Sequence, residues 1–234
     1  MIFYHVLVCF ESGMSKPILY SCYRSSASYR VRIALALKGI DYEYRPINMF
    51  AEPGEQFSEE FRKVNPKCEL PALQIDGLTL TQSLPIIEYL EETRGQVGRP
   101  LLPKDPAKRA VVRKLSEMIN SGIQPMQNLS VMRYLPPDVS RDQWAQHWIN
   151  RGFQALEDEL AKVAGKFCVA DELSMADICL VPQVVNAHRF HVDMSPYPLI
   201  ERISSSLREL DEFRRTAPEV QPDAPQRGSR TQNL

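Results

Sequence analysis

From Pro17 onward the apolar and polar positions fall into a regular order. Ile18-Leu19-Tyr20 predicts a short buried strand that ends near the polar run Tyr23 to Ser26. Residues 27, 31, 34 and 35 are apolar at helical spacing, with Arg30, Arg32 and Lys38 interspersed, and Gly39 stands where a C-terminal cap belongs. Strict alternation comes next: Ile40, Tyr42 and Tyr44 against Asp41, Glu43 and Arg45, closed by Pro46, which has no N–H to continue a ladder. Residues 50 to 66 are polar, with one short helical candidate around Ser58 to Val64 before a turn at Asn65-Pro66. Leu73 and Ile75, then Asp76-Gly77, then Leu78 and Leu80 predict two strands around a type I′ hairpin. Ser83 can cap the next helix, which takes Pro85 in its first turn and buries Ile86, Ile87 and Leu90. A strand-helix-strand unit followed by strand-strand-helix predicts an α/β domain of thioredoxin-like order.

Gly95 to Pro106 holds two glycines and three prolines and reads as a linker, with Asp105-Pro106 as cap and first turn of a new helix. Beyond it the strand signals stop. Residues 107 to 132 and 142 to 163 predict long helices, the first bent at Gly122 and Pro125. Leu173-Ser174-Met175-Ala176-Asp177-Ile178 combines a capping serine, an acid three residues on and an apolar pair set as a staple. A further helix is expected from about Pro198 to Arg215, and the polar, proline-bearing stretch from Gln221 predicts disorder. The expected organisation is therefore an extension over 1–13, a thioredoxin-like domain over 14–97, an all-α domain over 98–222 and a flexible tail over 223–234.

Charge narrows the partners. Lysine and arginine total 28 against 29 aspartate and glutamate, with no block of like sign, so no field gathers nucleic acid or a membrane surface. A small molecule is the expected partner. Five cysteines, at 9, 22, 68, 168 and 179, have neither CxxC nor zinc-type spacing and fit reduced thiols in a cytosolic compartment. The opening MIFYHVLVCF lacks the flanks of a secretory signal, and it is far shorter than the roughly 20 apolar residues of a membrane span, so residues 1–13 read as an appendage upstream of a start at Met14. No metal is expected, because His188 and His191 stand at i, i+3 without an acidic cluster. Cys22 precedes the helix start that would lower its pKa and reads as an inert thiol.

Anion chemistry is expected at the first strand-to-helix connection, where free N–H groups and the helix dipole meet Ser25-Ser26. The plain alternative is a simple N-cap. Bringing a bound thiol from a pKa of about 8.5 to about 6.5 takes roughly 2.7 kcal/mol. A helix terminus supplies about 0.3 to 1 kcal/mol, up to about 2 in favourable settings, and a hydrogen bond donated to the anion roughly 1.5 to 3. The dipole alone falls short, and a serine hydroxyl closes the gap. Glu69-Leu70-Pro71, before a strand, suits a cis proline that turns the Leu70 N–H and C=O outward to pair with a peptide. Gln82-Ser83 opens a helix whose N–H groups and hydroxyl suit a carboxylate. In this order the three segments describe a site for a peptide thiol.

The segment YRSSASYRVRIALALKGIDYEYRPIN resembles the signature of the zeta class of glutathione transferases, the family that includes maleylacetoacetate isomerases. The resemblance continues through NPKCELPAL, TQSLPIIEYLEETR, GIQPMQNLS, SMADICLVPQVVNAHRF and SPYP, from about Lys16 to Pro222. It implies a thioredoxin-like N-terminal domain, a helical glutathione-transferase C-terminal domain, a cytosolic homodimer and glutathione as cofactor. Position by position it implies that Ser25, Ser26, Gln56, Leu70, Gln82, Ser83, Gln124, Asn128 and Ser130 contact glutathione, with Ser25 and Ser26 catalytic, and that Arg24 and Arg189 face the substrate. The implied reaction is the cis-trans isomerisation of maleylacetoacetate in tyrosine and phenylalanine breakdown: thiolate addition to the double bond, rotation, and elimination. Transfer of glutathione to small electrophiles such as α-halo acids is the related activity. Two guanidiniums are the expected complement of a substrate with two carboxylates. Against that role stands a surface reading, with Arg24 in solvent and Arg189 against Asp193 or a helix end.

One position departs from the family pattern. Ser-Ser-Cys is Ser25-Ser26-Ala27 in this chain. A thiol is a weak donor, so thiolate formation should survive its loss, while the aim of the sulfur at a double bond changes. The alternative function is accordingly a glutathione-binding or ligand-sequestering protein with little catalysis.

Overall fold

A computed structural model describes residues 15–226, so the expected extension over 1–13 and the end of the expected tail lie outside the described residues. The first half runs β1 (Ile18–Ser21), α1 (Ser26–Leu37), β2 (Glu43–Pro46), α2 (Glu59–Val64), β3 (Ala72–Ile75), β4 (Leu78–Thr81) and α3 (Ser83–Thr93). Its strands form one sheet in the order β2-β1-β3-β4, with β1 parallel to β2 and β3 antiparallel to both neighbours. This is the thioredoxin-like arrangement the strand order predicts. Asp76 and Gly77 both take positive φ, 53° and 76°, as a type I′ hairpin requires. Strand β2 begins at Glu43 rather than Ile40, because Glu43 pairs with Ile18, the first residue of β1, and residues 40–42 have no strand beside them. Helix α3 is preceded by Gln82 as N-cap; Ser83 is its first residue rather than its cap.

The second half is helical: α4 (Pro106–Asn120), α5 (Leu129–Tyr134), α6 (Arg141–Val163), α7 (Met175–Arg189), α8 (Pro198–Arg208) and α9 (Asp211–Arg214). The helix expected over 107–132 is broken rather than bent. After Asn120 the chain passes through a 3-10 turn, Gln124–Gln127, where Pro125 offers no N–H, and Asn128 caps α5 by accepting from the Ser130 N–H. Among the described residues no helix is long and apolar enough to cross a membrane.

The capping box at the start of α7 has formed, and it reaches beyond the helix. The buried Asp177 carboxylate accepts from the Ser174 N–H at 2.8 Å, the Ser174 hydroxyl at 3.0 Å and the Cys168 N–H at 2.9 Å. Asp177→Ala leaves these buried donors unsatisfied and should cost about 3 kcal/mol or more. At roughly 2–4 °C per kcal/mol for a chain of this size, thermal unfolding should begin about 6–12 °C lower.

Helix α1 has no solvent face. It packs against α3, α7 and α9, and the three cations that the sequence intersperses among its apolar positions, Arg30, Arg32 and Lys38, are all fully buried. Lys38 meets Glu91 at 2.6 Å. Arg32 donates to the Thr216, Cys22 and Tyr23 carbonyls and to Ser21 Oγ. The expected disorder from Gln221 does not extend over residues 221–226. Asp223 accepts from the Tyr23 N–H at 2.9 Å and the Tyr44 hydroxyl at 2.6 Å, so this acid strap binds the connection between β1 and α1. Polar composition pointed to disorder; two long-range donors for a single carboxylate prevent it.

Candidate active site

A cavity of ≈ 340 Å³ lies where the β1–α1 connection, the loop before β3 and the start of α3 meet the Asn120–Met132 segment and the end of α7. Arg24, Ser25, Ser26, Leu70, Gln82 and Ser83 line it from the first half, and Gln124, Asn128, Ser130 and Arg189 from the second. Gln56 is elsewhere. It is buried in the 3-10 turn Glu55–Phe57 behind Gly54, whose φ of 95° is a backbone conformation that residues with a Cβ rarely adopt.

Ser25 is the N-cap of α1, and its hydroxyl oxygen accepts from the Ser28 N–H at 3.2 Å. The cap reading and the catalytic reading are therefore compatible, because a hydroxyl that accepts one hydrogen bond keeps its own proton to donate. The N–H groups of Ser26 and Ala27 belong to the first turn and have no intrahelical acceptor, so they add to the positive end of the dipole. Neither Tyr20 nor Cys22 is among the lining residues. Tyr20 Oη accepts from Arg45 at 2.9 Å, and burial pushes the Cys22 thiol up from its ordinary pKa.

At the loop before β3 the Leu70–Pro71 bond is cis, and among the described residues neither the N–H nor the C=O of Leu70 enters a hydrogen bond. A free donor and acceptor on one residue at the cavity wall are what an extended peptide pairs with. At the start of α3, Gln82 has a φ of 69° and ψ of 123°, a conformation that costs a non-glycine residue about 1–3 kcal/mol and recurs where a backbone is held for ligand contact. Just inside it, the Ser83 and Leu84 N–H groups are helix-start donors, while Pro85 needs no acceptor.

The two arginines complete the wall. Arg24 stacks on Phe50, 5.0 Å from the ring centroid, and Arg189 on Phe190, 4.7 Å away. Among the described residues neither forms an ion pair and Arg189 Nε has no hydrogen-bond partner. Burial, and secondarily the positive charge of Arg24, lower the Arg189 pKa to about 10, so it stays charged at neutral pH. The surface reading of Arg189 is not the observed one: Asp193 accepts instead from the N–H and hydroxyl of Ser195.

Some lining residues carried no signal in the sequence. Gln127 is buried at the wall with both side-chain amide atoms unpartnered, and Asn120, the last residue of α4, accepts from Arg30 through Oδ1 at 2.6 Å. An amide in a helical stretch looks like solvated surface; only the break after Asn120 turns this one inward. Among the described residues no group of three or more His, Cys, Asp or Glu side chains is placed to hold a metal, and His188 faces Glu201 at 3.6 Å. The residues present suit a peptide with a thiol and a carboxylate at one end of the cavity and a second, anionic molecule between the guanidiniums.

Comparisons with known proteins point the same way. Residues 24–93 match the family described as glutathione S-transferase, N-terminal domain. Over 210 residues the chain is 59% identical to maleylacetoacetate isomerase of Mus musculus, an alignment that covers 90% of this chain and 96% of that one. The holo structure of a bacterial maleylpyruvate isomerase, a glutathione S-transferase in the zeta class, superposes with a TM-score of 0.84 at 39% identity, covering 89% of this chain and all of that one. Maleylacetoacetate isomerase from Anaeromyxobacter dehalogenans 2CP-1, crystallised with glutathione in its active site, gives 0.81 at 43% identity, with 91% and 99% covered. A second crystal structure of that protein holds dicarboxyethyl glutathione and citrate in the active site.

Proposed function

The chain belongs to the zeta-class glutathione transferases, the family of the maleylacetoacetate isomerases, and on that premise we propose that it uses glutathione to isomerise maleylacetoacetate in the cavity between its two halves. The observation that carries this reading is the pair of guanidiniums, Arg24 and Arg189, which have no counter-ion among the described residues and share a cavity with the hydroxyl-bearing start of α1. A substrate with a carboxylate at each end supplies the missing charge. Bound glutathione supplies a thiolate that adds to the cis double bond and departs once rotation has given the trans isomer.

Each protein group has a defined task. Leu70 pairs its N–H and C=O with the backbone of the tripeptide, and Ser83 with the first N–H groups of α3 takes the γ-glutamyl carboxylate. Gln82, Gln124, Asn128 and Ser130 supply further hydrogen bonds around the tripeptide. Ser25 donates its hydroxyl proton to the sulfur, with the Ser26 N–H beside it, while the dipole of α1 adds a smaller share. Arg24 and Arg189 hold the substrate carboxylates and so set which double bond the sulfur meets. Gln56, which is not among the lining residues and whose buried Oε1 has no partner among the described residues, is the one glutathione contact implied by the resemblance that stands outside this wall.

The direct test is turnover of maleylacetoacetate with saturating glutathione, measured beside an α-halo acid and an aryl halide. No turnover of any of them, with glutathione still bound, would leave a glutathione-binding protein in place of an enzyme. Ala27 bears on the same measurement. Since it offers no donor and its neighbour Ser25 keeps the hydroxyl, Ala27→Cys should raise isomerisation more than it raises aryl-halide conjugation. Equal rises in both would mean that the residue acts on ionisation rather than on aim. We further assign the enzyme to the cytoplasm as a homodimer, a state that light scattering would report as twice 26.8 kDa; a single-chain mass at micromolar concentration would refute it.

A further inference from the structure

Arg30 lies within α1 with none of its surface exposed and forms no ion pair among the described residues. Its Nη1 donates to Ser83 Oγ at 3.2 Å and to Asn120 Oδ1 at 2.6 Å, while Nε and Nη2 have no partner among the described residues. A guanidinium taken out of water without an anion destabilises the fold that holds it, and an apolar side chain of similar size would do so less. The two contacts show what the charge is suited for. Both acceptors line the cavity. A hydroxyl has one proton, so with Arg30 donating into the oxygen of Ser83 the proton of Ser83 is left to point elsewhere. The Asn120 amide likewise turns its oxygen to Arg30 and keeps its NH2 for another acceptor. One buried cation thus sets two side chains of the wall as outward donors, next to the free N–H groups at the start of α3.

We propose that Arg30 is the positioning residue for the carboxylate of the γ-glutamyl end of glutathione: it fixes the Ser83 hydroxyl and the Asn120 amide as donors and places a positive charge directly behind them. This rests on the reading of the cavity as a glutathione site. The anion that Arg30 lacks in the protein is the one the ligand brings, and the group that holds it acts through Ser83 and Asn120 without touching the reacting sulfur. It also explains why a polar bridge joins the thioredoxin-like half to the helical half at this point, since Ser83 begins α3 and Asn120 ends α4.

The test compares two ligands by titration calorimetry: glutathione, and 4-aminobutyryl-cysteinyl-glycine, the same tripeptide without the γ-glutamyl α-carboxylate. The wild-type protein should prefer glutathione by about tenfold or more, the range of a charge-assisted hydrogen bond. Arg30→Met and Arg30→Gln should bind the two ligands within about twofold of each other, with affinity for the shorter analogue unchanged, and Arg30→Lys should restore part of the preference. An intact preference in either neutral variant would overturn the proposal. So would an equal loss of affinity for both ligands, which is the mark of a purely structural role, or failure of both neutral variants to fold. Equal binding of the two ligands by the wild type would overturn it as well, while leaving the glutathione site standing. Absence of all binding to the wild type would remove the site reading itself, and the role of Arg30 with it.

Discussion

Ser25→Ala should raise the pKa of glutathione bound in the cavity by about one to two units, the equivalent of the roughly 1.5–3 kcal/mol that a hydrogen bond to a charged group contributes. From a bound pKa of about 6.5, the thiolate fraction at neutral pH, and with it turnover, should fall about three- to twenty-fivefold. Because Ser25 also caps α1, alanine carries a second effect, about 1 kcal/mol of lost stability. Ser25→Gly separates the two. Glycine is nearly as good a cap as serine, so that variant should melt within a degree or two of the wild type while losing the thiolate as completely as alanine does. Titration of thiolate absorbance in the bound complex reads the pKa directly. A larger rise in Ser26→Ala, or in Tyr20→Phe despite the Arg45 contact of that hydroxyl, would move the role away from Ser25.

Removing both guanidiniums should be the most selective lesion available in this protein. Arg24→Met combined with Arg189→Met takes away two charge-assisted contacts to a dicarboxylate, each about 1.5–3 kcal/mol, so kcat/KM for maleylacetoacetate should fall at least a hundredfold. Glutathione affinity and aryl-halide conjugation should stay within a few-fold, because neither ligand needs a second anionic pocket. Arg189→Lys should recover little, since an ammonium cannot present the planar fork that grips a carboxylate in two places. Stability should move the other way. The Arg189 pKa is held at about 10, below the ordinary guanidinium value, first by burial and then by Arg24. A basic group whose folded pKa is depressed binds its proton less readily in the native state, so its charge opposes folding at neutral pH, and that opposition fades as pH rises through the interval above 10. The double variant should therefore melt no lower than the wild type. A fall in melting temperature, or an equal loss of aryl-halide conjugation, would show that the pair holds the fold rather than the substrate.

How far the sequence was legible depends on the range of the forces involved. Local chemistry was readable: the positive φ values at Asp76 and Gly77, the cap at Ser25, the box at Ser174 and Asp177 and the cis bond at Leu70–Pro71 each depend on a few adjacent residues. Ten residues of the cavity wall were readable too, although they are scattered from Arg24 to Arg189, because the resemblance carried their positions. The unreadable features depend on distant partners. Arg30, Arg32 and Lys38 sit at helical spacing among apolar residues and look like solvated breaks in a stripe. Only the packing of α3, α7 and α9 around α1 shows them to be buried, each with a partner far away in the chain. Gln56, which the resemblance carried over as a glutathione contact, is buried in the turn behind Gly54 and is not among the lining residues of the cavity. The break after Asn120 was visible as Gly122 and Pro125, but whether a helix bends or ends there is decided by whether a cap such as Asn128 is waiting downstream.

The strap from Asp223 to Tyr23 also sets the timing of assembly in a newly made chain. Its two ends are 200 residues apart, and at about 5–20 residues per second a ribosome takes roughly 10–40 s to get from one to the other. Through that interval the strands of the first half are free to form, yet the backbone leading into Ser25 lacks the carboxylate that tethers it, and Arg32 lacks its Thr216 carbonyl. A nascent chain arrested before Asp223 should therefore hold its sheet and still handle glutathione poorly, so that catalytic competence waits on a residue made 200 positions after the backbone it tethers.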